Sequence, residues 1–410
     1  MRFFLNAYRP SPIVAPWNSD SGFWGRKAAS QTLARLEASS NPRLALYRQV
    51  IQVARQVLAG MGLQEVPKDA EKARLLRRLR ARLPDEAIAW LDAAAVLVDG
   101  DPRYAPLLGS GGNDGRLDFT ANFIQHLERV LPLGGDTGDA RGRRGRRGGG
   151  HGPGQSRAWL EDALFATGAP PLADATPGQY HPGAVRGPNL TRGMEGRSLA
   201  NPWDFVLMME GALAFAGAVA RRLGVAEGGR ASFPFTVDAV PVGTGTAAEG
   251  EVADARGEIW VPLWEQPATY AAVAYLLAEG RAQAGRRQAK SGLDFARAAA
   301  SLGVDRGVGA FYRYGLLCRN GKAYLATPLG RIRVQARPHM HLIGELEPWL
   351  DRWRLFCKAS ETPERYRRAF RALEAAIFAY CQDGGPAALQ RVLAAAGRAE
   401  QALAAGRKEE

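Results

Sequence analysis

The sequence predicts an α+β chain, predominantly helical, divided into several domains. Three observations carry this expectation. Apolar residues recur at helical spacing over long stretches, short β-branched and aromatic segments lie between turn formers, and one Arg/Gly-rich segment interrupts both patterns. At 410 residues, 46% of them hydrophobic, the chain has apolar material for two or three cores.

In chain order, Ala7 to Gly25 comes first, where Pro10, Pro12 and Pro16 exclude a helix and favour extended or turn geometry. Arg43 to Ala59 reads as a helix from Leu46, Val50, Val53 and Val57, stopped by Gly60 and Gly62. Ala70 to Leu83 places Leu75, Leu76, Leu79 and Leu83 on one stripe, with Arg74, Arg77, Arg78, Arg80 and Arg82 outside it. Pro84 restarts the chain as a helix through Val98. Pro106 to Leu131 opens as a glycine-rich loop and continues as an amphipathic helix through Phe119, Phe123, Leu127 and Leu131. Gly134 to Arg157 has almost no apolar residues and is expected to be disordered, either a plain linker or an arm following a phosphate backbone.

Asn201 and Pro202 signal the start of an apolar helix closed by Arg221, Arg222 and Gly224. Short strands are expected at Ser232 to Val240 and Gly257 to Trp264, then a helix from Pro267 to Ala282. From Gly292 to Val334 the pattern reads helix, turn, helix, hairpin, with Asn320-Gly321 as the hairpin turn, an order that resembles a winged-helix element. The tail from Gly344 to Ala404 reads as helices. The expected organisation is an N-terminal helical region with the glycine-rich loop (1–133), an Arg/Gly linker (134–157), an α+β central region (158–343) and C-terminal helices (344–410).

Lys and Arg total 54 against 41 Asp and Glu, a net charge of +13. That surplus favours a polyanionic partner, because each cation placed on a phosphate releases condensed counterions. A GC-rich genome also enriches Arg, Ala and Gly, so placement matters as much as number. The longest apolar runs are too short to span a bilayer, the first residues lack a signal-peptide pattern, and Cys318, Cys357 and Cys381 stand far apart. A cytoplasmic chain without a membrane partner is expected.

The common catalytic signatures are missing: no GxxxxGK[ST] phosphate loop, no GxSxG elbow and no HExxH. His339 and His341 would face one side of an extended segment, which permits a metal, but ordinary surface histidines explain them as well. Asp118 fits a helix start facing the dipole. No enzyme and no cofactor are expected. The loop at Gly109 to Gly115 lets a backbone approach a phosphate or base edge, with Gly111, Gly112, Asn113, Asp114 and Arg116 at its tip. Trp17 and Asn18 could supply a stacking face and a reading amide, although Trp17 could equally cap a core.

Several runs together resemble a known family. They are YRPSPIVAPWN (Tyr8 to Asn18) with SGF (Ser21 to Phe23), PLLGSGGNDGRLDFTANF (Pro106 to Phe123) and NPWDFVLMMEGAL (Asn201 to Leu213). SFPFTV (Ser232 to Val237), GEIWVPLW (Gly257 to Trp264) and Glu279 to Val334 complete the set. In this order they resemble the large subunit of type I-G (formerly I-U) CRISPR interference complexes. Family members as known begin further upstream and continue into an additional C-terminal helical region, which the small subunits of such complexes resemble. The resemblance implies a subunit that recognises the protospacer-adjacent motif in duplex DNA, helps strand separation and holds displaced DNA. It implies guide RNA-bound backbone subunits, small subunits and a separate helicase–nuclease as partners. Base pairing would read the sequence, and protein would read the short motif and the backbone.

On that reading Trp17, Asn18, Asn113, Asp114 and the adjoining glycines are the candidate motif readers. Arg286, Arg287, Arg313, Arg319 and Lys322 are the candidate backbone contacts. Two other classes stand beside it: a metal-dependent nuclease built on His339 and His341, and a scaffold touching only protein and guide RNA.

Overall fold

The computed structural model describes residues 1–25, 28–114, 117–132, 153–168, 172–175, 198–220, 230–240, 255–280, 282–284, 287–302, 304, 307–319, 323–359 and 361–406. The chain is mixed α+β and predominantly helical, and it divides into two compact units, Met1–Phe233 and Pro234–Glu410. That division falls inside the stretch 158–343, expected from the sequence as one α+β region. No helix among the described residues is long and apolar enough to cross a membrane.

In the first unit, helices α1 (Ala28–Ala38), α2 (Ala45–Gly60), α3 (Asp69–Arg80) and α4 (Asp85–Ala94) follow an irregular N-terminal segment. That proline-rich segment is buried, with Ile13, Val14, Ala15 and Trp17 almost fully inside. Without secondary structure its carbonyls need other donors. The Tyr47 hydroxyl donates to Ile13 O at 2.5 Å, and Trp90 Nε1 donates to Val14 O at 2.7 Å. The helix α2 buries Tyr47, Val50, Ile51, Ala54, Val57 and Leu58, a stripe turned slightly from the one its valines suggest. In α3 the expected leucines Leu75, Leu76 and Leu79 point inward.

The expected helix from Pro84 ends at Ala94. Its last residues, Ala95–Val98, form strand β1, paired antiparallel with β2 (Asp101–Tyr104). The run Ala-Val-Leu-Val is short and β-branched, and strand pairing overrides the helical start. Strands β3 (Asn113–Asp114) and β4 (Leu117–Asp118) form a minimal hairpin leading into α5 (Phe119–Val130). As expected, Asp118 is the N-cap, accepting from Ala121 N at 2.7 Å.

Helix α6 (Pro153–Phe165) begins inside the segment expected to lack order, so residues 153–157 of that reading are corrected. Buried Ser156, donating to Val130 O at 2.8 Å, and buried Trp159 and Leu160 anchor it. The remainder of the Arg/Gly segment lies outside the described residues. Strands β5 (Ala173–Ala175) and β6 (Ser198–Ala200) pair ahead of α7 (Pro202–Ala212), which carries the expected Asn201 cap and Pro202 start. This helix stops earlier than expected, because β7 (Ala218–Ala220) pairs with β8 (Arg230–Ser232). Arg221, Arg222 and Gly224 lie outside the described residues. Helix α5 packs against α1 and α7, closing the core around Phe119, Phe123, Leu127, Trp203 and Val206.

The second unit is built on a four-stranded antiparallel sheet of order β14-β13-β10-β9. Its strands are β9 (Thr236–Val237), β10 (Glu258–Trp264), β13 (Val308–Arg319) and β14 (Ala323–Arg333). Between them come α8 (Tyr270–Glu279), the short pair β11 (Gln283–Ala284) and β12 (Arg287–Gln288), and α9 (Gly292–Ala300). A capping box formed by Ser291 and Asp294 starts α9. Helices α10 (Met340–Glu345), α11 (Glu347–Lys358), α12 (Glu364–Asp383) and α13 (Pro386–Gly406) complete the unit.

The second helix of the expected winged-helix order is corrected. The residues from Val308 to Leu317 belong to the long strand β13, with Phe311, Arg313 and Gly315 buried and Tyr312 and Tyr314 on the other face. Period-two alternation, with Phe311 and Trp260 against Phe295 of α9, wins over the weak helical spacing. The expected hairpin exists: Arg319 pairs with Ala323 across residues 320–322, which lie outside the described residues.

Candidate nucleic-acid interface

The glycine-rich loop is a tight turn set by three positive φ angles: 60° at Gly109, 80° at Gly111 and 92° at Gly112. Glycine adopts these freely because it has no Cβ. Ser110 N donates to Asn113 O at 2.8 Å, Gly112 N to Leu108 O at 2.7 Å and Phe119 N to Gly112 O at 2.9 Å, locking both ends. The Gly111 carbonyl points inward and receives two donors, Trp17 Nε1 at 2.8 Å and Asn18 Nδ2 at 3.2 Å. Two separate sequence signatures, the Pro-Trp-Asn turn and the glycine loop, thus meet at one oxygen.

That meeting corrects part of the expected assignment. Trp17 is 1% exposed and Asn18 3%, so neither offers a stacking face or a reading amide to a ligand. Burying the proline-rich segment draws their donors into the protein, where an unpaired carbonyl would be costly. Their role is to hold the turn from beneath. Asn113 is half-buried at the tip, and its Oδ1 is itself buried with no hydrogen-bond partner among the described residues. Asp114 contributes backbone to β3, while its side chain, like Gly115 and Arg116, lies outside the description.

Below the turn, Asp118 is buried and its carboxyl is raised to about 6, chiefly by burial. Hydrogen bonds from Thr120, Ala121 N and Asn18 oppose that rise. Asp118 therefore belongs to the support of the loop.

Beside the turn lies Lys72 of α3, a helix whose leucine stripe turns its arginines outward. Lys72 Nζ approaches Ser110 O at 3.4 Å and lies 4.8 Å from the Tyr104 ring centroid. Its partial burial lowers the ammonium below the ordinary lysine range. Arg74, Arg77, Arg78, Arg80 and Arg82 are exposed, as is Arg103 of β2. Arg80 is ion-paired with Asp92, and Arg78 donates to Gly60 O at 3.3 Å. Helical spacing separates these arginines from the core but assigns none of Lys72, Arg74 and Arg77 to a site. The signal missed was the short path from α3 to the glycine turn, which depends on tertiary packing.

In the second unit Arg313 is corrected outright. It is 0% exposed and forms a bidentate pair with buried Glu258, Nε to Oε2 and Nη2 to Oε1 both at 2.6 Å. Its guanidinium also faces the Phe378 ring at 4.7 Å. A residue so enclosed cannot reach a phosphate backbone. Arg287 lies in β12 and Arg319 ends β13, with side chains outside the description, and Arg286 and Lys322 lie outside it entirely.

His339 and His341 are not on an extended segment: His339 has φ 65° and precedes α10, which carries His341. Their rings stand 6.1 Å apart. Among the described residues no group of three or more His, Cys, Asp or Glu could hold a metal ion.

Compared with known protein families and with curated proteins, the chain matches no family model and no curated sequence.

Proposed function

We propose that this chain is the large subunit of a type I-G CRISPR interference complex and reads a short motif in duplex DNA. The glycine turn meets the motif, and the outer face of α3 follows the phosphate backbone. One observation carries the reading: the turn at Gly111 is braced from below by Trp17 and Asn18 and flanked by Lys72, whose helix α3 also carries the exposed Arg74 and Arg77. A rigid backbone turn beside several cations is the combination that lets protein approach a base edge while phosphates fix the register. The net charge of +13 supports the same polyanionic partner. The resemblance of the runs Tyr8 to Asn18 and Pro106 to Phe123 supplies the biological setting. In it, guide RNA-bound backbone subunits and small subunits assemble with this chain in the cytoplasm. A separate helicase–nuclease cuts the DNA.

The test is binding of the full chain, assembled with guide RNA and backbone subunits, to target duplexes with and without a permissive flanking motif. Reversing Lys72, Arg74 and Arg77 to Glu is expected to weaken both duplexes at least tenfold. It should also reduce the salt slope by about 0.9 per lost phosphate contact. Asn113→Ala is expected to narrow the difference between the two duplexes by roughly 1–3 kcal/mol. Unchanged affinity in the first variant together with unchanged discrimination in the second overturns the reading.

A further inference from the structure

The hairpin that ends the glycine turn brings two unsatisfied oxygens to one place. The β3–β4 register sets Asn113 directly opposite Asp118. Such a cross-strand pair projects both side chains to one face, with Cβ atoms about 5 Å apart. The Asp118 carboxyl is 3% exposed, and its Oδ1 is filled by Thr120 Oγ1 at 2.6 Å and Ala121 N at 2.7 Å. Its Oδ2 is buried without a hydrogen-bond partner among the described residues, and so is Asn113 Oδ1. Asn18, which also favours the carboxylate, directs its Nδ2 to Gly111 O at 3.2 Å. The Asn113 backbone is fixed, because its carbonyl takes Ser110 N at 2.8 Å and Ser110 Oγ at 3.1 Å. Two facing acceptors cannot satisfy one another, and leaving both unpaired in a buried site costs free energy. Either of two changes supplies the missing hydrogen. A proton on Asp118 Oδ2 donates to Asn113 Oδ1, or a half-turn of the carboxamide brings Asn113 Nδ2 inward to donate to the carboxylate.

We propose that Asp118 is the positioning residue for Asn113: its carboxylate draws Nδ2 inward, so the turn presents Oδ1 to an exocyclic amino group of a base, and a proton on Asp118 reverses the carboxamide. The base contact rests on the duplex reading above, whereas the exchange is a property of the chain alone. A free asparagine offers a donor and an acceptor together. With one end held inward a single group faces outward, and once Asp118 is ionised that group is the acceptor. The favoured edges are then adenine N6 or cytosine N4 in the major groove, or guanine N2 in the minor groove. Thymine carries no exocyclic amino group and is disfavoured. Burial raises the Asp118 carboxyl to about 6, with Asp20 of the N-terminal segment adding to the rise. Tyr47 of α2 also acts on this site and stays neutral, because burial holds its phenol well above the ordinary tyrosine range. Asp118 is thus protonated below about pH 6 and ionised above it, which makes Oδ1 the outward group at neutral pH.

The full chain is labelled with nitrogen-15 asparagine, and the Asn113 side-chain resonances are assigned by their loss in Asn113→Ala. As pH is raised from 4.5 to 8 they are expected to move with a midpoint at about pH 6. They should stay fixed in Asp118→Asn, which keeps the cap and donates to Asn113 at every pH. Thr120→Val removes a hydrogen bond that favours the carboxylate and should raise the midpoint. A merely structural Asp118 would give neither result. The base contact is read with the assembled complex on target duplexes that carry an amino-lacking base at one motif position at a time. The replacements are inosine for guanine, purine for adenine and pyrimidin-2-one for cytosine. At pH 8 one of them is expected to weaken binding about tenfold; at pH 5, or in Asp118→Asn, the loss should be under about twofold. Static resonances overturn the proposal even where motif discrimination is intact, and so does an amino-deletion loss equal at the two pH values. A midpoint displaced by Mg2+ or K+ also overturns it, by placing a cation between the two oxygens. Titrating resonances in a complex without motif discrimination at any pH mark the failure of the duplex reading instead: the exchange then stands and its base contact falls.

Discussion

At Gly111 the backbone holds φ 80°, and a Cβ there would stand 2.8 Å from Trp17 Nε1 and 3.0 Å from the Tyr104 ring. Gly111→Ala therefore meets both a left-handed conformation and a collision, with an expected loss of about 2–4 kcal/mol in urea unfolding. Under the proposed function, motif discrimination should fall with it, since the turn can no longer rest on Trp17 and Asn18. A carboxyl raised from 3.8 to about 6 in the folded chain gives Asp118 a pH signature. Protonated Asp118 is favoured by the fold, so its contribution is fully present below about pH 4 and is lost as pH rises through about 6. Across that window the parent chain should lose roughly 3 kcal/mol relative to Asp118→Asn, which keeps the cap but cannot ionise. Stability curves of the two proteins between pH 4 and 7 check this, and parallel curves would refute it.

Among the elements, β13 explains why one arginine is structural and its neighbours are not. Alternation sends Arg313 to the covered face, where Glu258 meets it and also accepts from Val240 N at 3.0 Å and Trp260 Nε1 at 3.2 Å. Arg313→Met alone strands a buried carboxylate and is expected to cost about 3–5 kcal/mol. Adding Glu258→Gln removes the uncompensated charge, so the double variant should be more stable than Arg313→Met. A thermal melt of the three proteins decides it. Helix α3 shows the complementary logic. Its buried Leu75, Leu76 and Leu79 oblige the intervening cations to face outward, and Leu75, Leu76 and Leu79 were legible from spacing alone. What spacing could not give was the neighbour of Lys72, because Lys72 and Ser110 are brought together by packing of distant segments.

At the scale of the whole molecule, two compact units of well over 150 residues each argue against a single cooperative transition. Calorimetry of the full chain is expected to need two components. Gly111→Ala should move one and Arg313→Met the other; a single transition shifted by both substitutions would contradict this division. If the proposed function holds, the cationic surplus acts on binding more than on folding, so lowering salt should strengthen nucleic-acid affinity with little change in either melting component.

The α+β class, the helices from Arg43 to Leu83, the caps at Asp118 and Asn201 and the hairpin around Asn320-Gly321 all followed from the sequence. Each rests on local chemistry, whether side-chain period, proline geometry or a capping oxygen. The positions of Trp17, Asn18 and Arg313 could not follow from it. A polar or aromatic group reads the same in sequence whether it faces solvent or satisfies a buried partner, and that partner lies 94 residues from Trp17 and 55 from Arg313. Only the folded chain decides which donors are spent inside and which cations, such as Lys72, Arg331 and Arg333, remain at the surface, because burial is a property of contacts between distant segments.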